Sequence, residues 1–486
     1  MRLKCWVFVL IMMLLSSSVF GVTRIVVYPN EPVRKISPMF FGVNVLFWID
    51  GDAALKNGRI VAELKNLPVG VLRFPGGTAA ENYYWQTNTL ADKYSYPFHS
   101  GPGTLDFDKF VSLVKEVGAR ADVIVNTRTW VSRGDIADGI KEAVAWVRYC
   151  KNKGYHVRYW EIGNEPYLNT AVNAREYAEV VNRYAAAMKK VDPTILIGAA
   201  GPSDPDFIGK KDRLSGREQA WLSHIEGRYP LHKVLQIQQM TRTVAAHTRP
   251  PKDARLWWPT FVRICGANVD FLVIHDYFYN ARTITQLPKA LITIEAEFKK
   301  HFPDKTYPIF MSEFNVGARV PASKQPLELF DIISAMLRGG VNWSCFWPLR
   351  FPHQHWTRKA LLHMNSMQPR APYMVLHFLA QRLVNSTLVR TGPNDLGAYA
   401  VKKGGKLTVF VSGRTLQRPT TIEVKIRNAK VGNVTVLQGK ITGSGAISTR
   451  KTQSAIHRGR ITATLAPREF DFINFQVQGA KQLDHQ

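Results

Sequence analysis

Residues 157–166 read Val-Arg-Tyr-Trp-Glu-Ile-Gly-Asn-Glu-Pro. The run Val157–Ile162 has the length and β-rich composition of a buried strand. Gly163 and Pro166 punctuate its end, which leaves Asn164 and Glu165 displayed at the C-terminal tip. Seven more runs of this kind occur: Phe40–Leu46, Gly70–Phe74, Ala121–Asn126, Thr194–Ala199, Val269–His275, Tyr307–Glu313 and Val341–Trp347. Helical patterns alternate with them. Asp106–Gly118 carries Phe107, Phe110, Val111 and Val114 on one stripe, and Arg175–Lys190 has a Tyr/Val/Ala/Met face. Eight strands alternating with helices predict an α/β fold, a closed (β/α)8 barrel. A doubly wound sheet would need a glycine-rich dinucleotide turn after its first strand, and none is present.

Outward from the barrel, predicted over 37–375, the pattern changes. From residue 376 to about 480, alternating segments such as Lys406–Val411, Thr420–Ile426, Asn433–Leu437 and Ile461–Leu465 lie between Gly, Pro and Asn turns and predict an antiparallel β-sandwich. Residues 22–36 would join it through Thr23–Tyr28. Residues 1–21 place Arg2 and Lys4 before the apolar run Cys5–Leu15 and end in small residues, which predicts a secretory signal cleaved after Gly21 and an extracytoplasmic protein. The run is too short to span a bilayer, so no membrane insertion is expected once the signal is removed. Of the four cysteines, Cys150, Cys265 and Cys345 lie outside it, too few and too widely spaced for a disulfide framework or a metal knuckle.

The 486 residues carry 64 Lys+Arg against 37 Asp+Glu, a formal net charge of +27, with 45% apolar residues. This excludes disorder and a polytopic membrane protein, and it directs long-range steering toward anions. Loss of Arg2 and Lys4 lowers the charge to +25. Residues 376–486 hold 17 of the basic and only 5 of the acidic residues, either as a solvated face or as a glycan-docking surface. The long connection 200–268, with helical patterns at Arg217–Ile225 and His232–Ala246, is a candidate cleft wall.

In such a barrel, chemistry sits at the C-terminal ends of the strands. Those ends are polar here: Arg73-Phe-Pro-Gly-Gly77 on strand two, Asn126 on strand three, Asn164-Glu165 on strand four, His275-Asp-Tyr277 on strand six, Glu313 on strand seven and Trp347 on strand eight. Strands four and seven face each other across the barrel mouth. Glu165 and Glu313 are therefore placed for glycoside hydrolysis, in which one carboxyl protonates the leaving oxygen and the other attacks the anomeric carbon. Glu161 shares the parity of Glu165 one layer deeper and reads as a buried partner of a cation such as Arg73, while Asp276 alternates out of phase with its neighbours.

Together these motifs resemble the clan A retaining glycoside hydrolases. Leu72-Arg-Phe-Pro-Gly-Gly77, the Asn126 strand and the barrel-plus-sandwich layout resemble the α-L-arabinofuranosidase family in particular. The resemblance implies Glu165 as general acid/base and Glu313 as nucleophile. It implies that Asn164 binds the hydroxyl beside the anomeric carbon, that Arg73 and Tyr277 hold Glu313, that His275 supports the pair, and that Trp347 floors the subsite of the cleaved sugar. Asn126 is carried over as a substrate-binding residue. No cofactor or metal is implied, and the partner is a carbohydrate, acidic polysaccharide included, rather than nucleic acid.

The sequence also departs from that family. Phe41-Gly-Val-Asn-Val-Leu-Phe-Trp48 lacks the acidic sugar-binding residue that usually follows strand one, and Thr127-Arg-Thr-Trp130 replaces a glycine-rich turn. The Glu-Pro ending of strand four is closer to xylosidase-like and heparanase-like members, so glucuronidase-type activity on acidic glycans is an alternative. Trp48, Trp85, Trp130, Trp347 and Trp356 are expected to line a glycan cleft. His353-Gln-His355-Trp356-Thr-Arg358 offers cations beside an aromatic, suited to a uronate or a sulfated sugar, and too few ligands for a metal. A non-catalytic polyanion-binding barrel is the reading from a different class.

Overall fold

The computed structural model of the protein describes residues 22–91, 101–168, 172–203, 257–352, 356–429, 431–442, 446–454 and 460–477. Residues 1–21, read above as a signal, the two helical patterns expected within 204–256, and His353 and His355 lie outside the described residues. The chain divides into two compact units. One comprises residues up to Arg34, Thr387–Ile441 and Ile447 onward; the other comprises Lys35–Ser386 with Thr442–Ala446.

The second unit is a closed eight-stranded parallel barrel. In chain order its strands are Gly42–Asn44, Val71–Phe74, Arg120–Val125, Tyr159–Ile162, Leu196–Pro202, Phe271–Phe278, Ile309–Val316 and Val341–Phe346. Each overlaps one of the eight runs read from the sequence. Nearly every residue of these strands is buried, which is why the runs are mostly apolar rather than alternating.

Local chemistry sets the helix ends. Asp106 caps Phe107–Val117 by accepting from the Lys109 N–H, and Gly118 closes the helix in the left-handed region. Its buried face is Phe107, Phe110, Leu113 and Val114, so Leu113 takes the place expected for Val111. Ala174–Val191 opens on a reciprocal Asn173–Glu176 capping box and buries Tyr177, Val180, Val181, Tyr184 and Met188. The barrel unit runs to Ser386 rather than ending at 375, because Ala371–Leu383 forms a further helix with Val375, Leu376, Leu379 and Leu383 inward. The three cysteines are free and buried.

The first unit is a single nine-stranded, mostly antiparallel sheet. Residues from strands far apart in its order, such as Val436, Ile461 and Ile473, share one core cluster, so the sheet folds over on itself in the expected sandwich manner. The strand Val22–Lys35 lies inside this sheet and runs parallel to Thr420–Ile426, pairing Ile25 with Val424.

Candidate active site

Arg73 organises the strand ends. It is fully buried on strand two, opposite Asn44 of strand one and Asp122 of strand three. A guanidinium has five N–H donors, and this one meets an acceptor with each. Nε donates to Glu161 Oε2 (3.0 Å), and Nη1 donates to Asn44 Oδ1 (3.0 Å) and Glu313 Oε1 (2.8 Å). Nη2 donates to Glu161 Oε2 (2.6 Å) and Asn164 Oδ1 (2.9 Å). Burial alone would lower the Arg73 pKa, but the surrounding Glu161, Glu313 and Asp122 outweigh it and hold the guanidinium charged.

Asp122 lies beneath, 3.7 Å from Arg73 Nε and wholly buried. Neither of its oxygens meets an N–H donor, and burial followed by the neighbouring Glu161 charge pushes its pKa well up. The floor of the site thus sets the Arg73 guanidinium among the three carboxyl groups of Glu161, Glu313 and Asp122.

Glu313 is buried, and its second oxygen, Oε2, accepts from Tyr277 Oη at 2.6 Å. The Tyr277 hydroxyl is pushed well up by burial, then by Glu313 and Glu165, so it remains a donor. Strand seven slips register on both flanks around Ser312 and Glu313. A regular strand sends consecutive side chains to opposite faces, and a bulge removes that constraint. Accordingly Ser312 Oγ meets His275 Nε2 at 3.0 Å while the adjacent Glu313 also reaches His275, Nδ1 to Oε2, at 3.9 Å.

Glu165 sits in the turn after strand four with φ +46°, a left-handed conformation uncommon for a non-glycine residue. Gly163, at φ +74°, makes that turn possible, since a Cβ there would come within 2.3 Å of Thr127 Oγ1. Glu165 Oε1 is 3.1 Å from His275 Nδ1. One oxygen each of Glu165 and Glu313 and the His275 nitrogen all lie within 4.8 Å of one another. Such a trio could ligate a metal ion, but Arg73 and Tyr277 already occupy Glu313. Trp347 lies against the backbone of Gly77, where a Cβ would meet its Cη2 at 2.5 Å. Trp356 packs on Tyr277 with ring centroids 5.1 Å apart, and the Lys359 ammonium lies over the Trp356 ring, 5.7 Å from its centroid, and donates to the carbonyls of Gly317 and Ala318.

Arg73, Asn164, Glu165, His275, Tyr277 and Glu313 thus converge as the sequence predicts, and Glu161 is the buried partner of Arg73. Asn126, at the end of strand three, is buried; its Oδ1 accepts from the Thr129 N–H at 3.2 Å and its Nδ2 has no hydrogen-bond partner. Trp85 and Trp130 are not cleft residues. Trp85 stacks on Trp146 (5.4 Å), and Trp130 donates to Glu142 (2.7 Å), both bracing the helix Ile136–Lys153. Sequence reasoning missed Asn44, Asp122, Ser312 and Glu81. The polar residues interrupting apolar strands at 44, 122 and 312 were the available signal.

A barrel with one glutamate in the turn after strand four and a second, clamped by arginine and tyrosine, on strand seven has the layout of a two-carboxylate glycoside hydrolase. Comparisons with known proteins agree. The chain is 27% identical over 230 residues to α-L-arabinofuranosidase C of Emericella nidulans, covering 39% of this chain and 44% of that protein. It is 25% identical over 189 residues to an intracellular exo-α-(1→5)-L-arabinofuranosidase of Acetivibrio thermocellus, covering 32% and 34%. The matched part therefore spans less than half the length of these relatives. No protein-family model matches. Among solved structures, the Thermotoga maritima α-L-arabinofuranosidase in complex with arabinose aligns over 93% of this chain and 99% of its own, with TM-score 0.67 and 17% identity. The family 51 arabinofuranosidase of Xanthomonas axonopodis pv. citri aligns over 93% and 99%, with TM-score 0.68 and 14% identity. The resemblance drawn from the motifs is borne out: the chain is related to the α-L-arabinofuranosidases, and it shares the barrel and sheet-domain fold of the family 51 enzymes.

Proposed function

We propose that the protein is an exported retaining glycoside hydrolase acting on α-L-arabinofuranoside-type linkages of polysaccharides or their fragments. The observation that carries it is the Glu165–His275–Glu313 cluster, whose ligand atoms lie within 4.8 Å of one another with Glu313 clamped by Arg73 and Tyr277. Retention needs carboxyl groups about 5–5.5 Å apart, whereas inversion leaves room for a water at about 6.5–9.5 Å. The short spacing favours retention.

Glu165 protonates the departing oxygen while Glu313 attacks the anomeric carbon, giving a covalent glycosyl-enzyme. Glu165 then takes a proton from water, which displaces Glu313, and two inversions give net retention. Arg73 and Tyr277 hold Glu313 aimed, each donating to one of its oxygens. Asn164 binds the hydroxyl beside the anomeric carbon, and Trp347 floors that subsite. Export rests on residues 1–21 alone.

One observation favours a second specificity on acidic or six-membered sugars. After strand one the chain runs Val45-Leu-Phe-Trp48, all buried, and the nearest carboxylate, Asp50, is wholly buried and bound to Arg350 at 2.9 Å. It leaves no acidic group there to bind sugar hydroxyls. Hydrolysis of a chromogenic panel of arabinofuranosides, xylosides, glucosides and glucuronides, with anomeric products followed by NMR, tests both points. The expected result is fastest turnover of the arabinofuranoside with retention, and no turnover by Glu313→Gln. Inversion, or an active Glu313→Gln enzyme, would overturn the assignment.

A further inference from the structure

Glu81 is a buried carboxylate that the mechanism does not use. It lies in the short 3-10 helix Gly77–Asn82 after strand two and is 3% exposed. Its Oε1 accepts the backbone N–H of Asn164 at 3.2 Å, one residue before Glu165. Its Oε2 lies 3.5 Å from Arg128 Nη1, at the start of the helix after strand three, and its carbonyl accepts from Thr129 Oγ1 at 3.0 Å. A small cavity lined by Glu81, Thr127, Arg128, Pro166 and Tyr177 runs behind the same turn. Glu81 therefore links the ends of strands two, three and four at the one point where the backbone takes a left-handed conformation to present Glu165.

Resting on the glycosidase assignment above, we propose that Glu81 is a positioning residue for the acid/base. It anchors the Asn164–Glu165 turn through the amide N–H, and its charge holds the proton on Glu165 as the pH rises. The groups around it allow this role. Arg128 faces it from the helix after strand three, Glu165 from the turn after strand four, and Tyr177 from the helix Ala174–Val191. Glu165 is faced in turn by His275 and Glu313 and by the phenols Tyr167, Tyr277 and Tyr279. Burial pushes the Glu81 pKa up to about 7, Arg128 pulls it down, and Glu165 adds to the rise. Below that pH Glu81 is neutral. Above it a second negative charge appears beside Glu165, and like charges make each carboxyl hold its proton more tightly.

Glu81→Gln keeps the volume and the acceptor for Asn164 while removing the charge, so it separates the two parts of the role. The full chain and this variant would be compared from pH 5 to 9 on two glycosides of the same sugar, one with a poor alkyl leaving group and one with an activated dinitrophenyl leaving group that needs no acid. On the alkyl glycoside, kcat/KM of the two enzymes should coincide at pH 5. The basic limb of the variant should lie lower by about one pH unit, the scale on which a nearby charge acts in a partly buried site. That amounts to a roughly ten-fold loss of rate above the limb. On the dinitrophenyl glycoside the first chemical step should be unchanged.

A second variant, Arg128→Gln, leaves Glu81 in place but removes its cation, keeping Glu81 neutral to higher pH, so it should shift the limb in the same direction by less. An equal loss on both substrates at every pH, or an unshifted limb in both variants, would overturn the proposal. Glu165→Ala is run in parallel. If it lacks the leaving-group dependence and azide rescue of an acid/base deletion, the glycosidase assignment itself falls and the role of Glu81 with it. If Glu165→Ala behaves as expected while Glu81→Gln does not, only the role of Glu81 falls.

Discussion

Arg73→Lys is the substitution that probes the site most severely, because lysine keeps the charge and nearly the reach while offering three donors in place of five. The five hydrogen bonds of Arg73 run to four acceptor atoms, on Asn44, Glu161, Asn164 and Glu313, all buried, with Glu161 Oε2 accepting twice. Two of the five bonds must be lost, and they belong to a planar fork that an ammonium cannot reproduce. A hydrogen bond to a charged group contributes about 1.5–3 kcal/mol, so two lost bonds predict a loss of about 3–6 kcal/mol. The buried carboxylates remain paired to a charge, which keeps the effect short of the larger penalty for deleting the cation. The check is equilibrium urea unfolding of the barrel, followed by its tryptophan fluorescence, with kcat/KM measured alongside. Misaimed Glu313 should lower kcat/KM by about 100-fold or more, since loss of one charged hydrogen bond to the nucleophile is worth about 2.7 kcal/mol at the transition state. A variant within about 1 kcal/mol of wild type that retains most of its activity would refute the view that all five donors are engaged.

Gly77→Ala adds a Cβ 2.5 Å from Trp347 Cη2 at a residue with φ +55°, so it should displace the indole and destabilise by about 1–3 kcal/mol. A rise in KM and a change in tryptophan emission are the expected readouts, and wild-type KM would contradict the placement of Trp347. Glu142 has its pKa pushed up to about 7 by burial, against the pull of the Trp130 N–H. A carboxyl raised on folding contributes stability that is complete below its unfolded pKa and is lost as the pH rises through 7. Glu142→Gln should therefore match wild type near pH 4.5 and be more stable by about 2 kcal/mol at pH 8 and above. Thermal melts across that range decide it, and an offset independent of pH would count against it.

The barrel was legible because a parallel strand covered on both faces becomes a mostly apolar run, and all eight such runs form strands. The catalytic-type residues were legible because they stand at the ends of those runs. What pattern did not reveal depends on geometry normal to the chain. Alternation would put Ser312 and Glu313 on opposite faces, and only the slipped register of strand seven makes both available to His275. Tryptophan near a strand end signals a cleft wall and a packed interior equally well. Trp85 and Trp130 took the second role because the helix Ile136–Lys153 offered them Trp146 and Glu142. The position of Asn126 gave no sign that the Thr129 N–H would engage its oxygen while its Nδ2 stayed without a hydrogen-bond partner. Glu81 carried no pattern at all, since a single acid in a polar turn is indistinguishable from a surface residue until its burial is known.

The strand Val22–Lys35 is an interior member of a sheet whose other members are all encoded after the barrel. On the ribosome this segment emerges before the barrel and then waits, unpaired along both edges, while the whole of the barrel is synthesised. Its partners Thr387–Thr391 and Thr420–Ile426 appear only near the end of translation. The pairing of this strand therefore cannot form locally. Its completion is a late, long-range event, of the kind that slows folding and leaves strand edges open to wrong partners. A chaperone or a rapidly folding barrel that shields residues 22–35 in that interval would govern yield in expression, and truncations that remove this strand should leave the barrel folded while dividing the sheet into six strands and two.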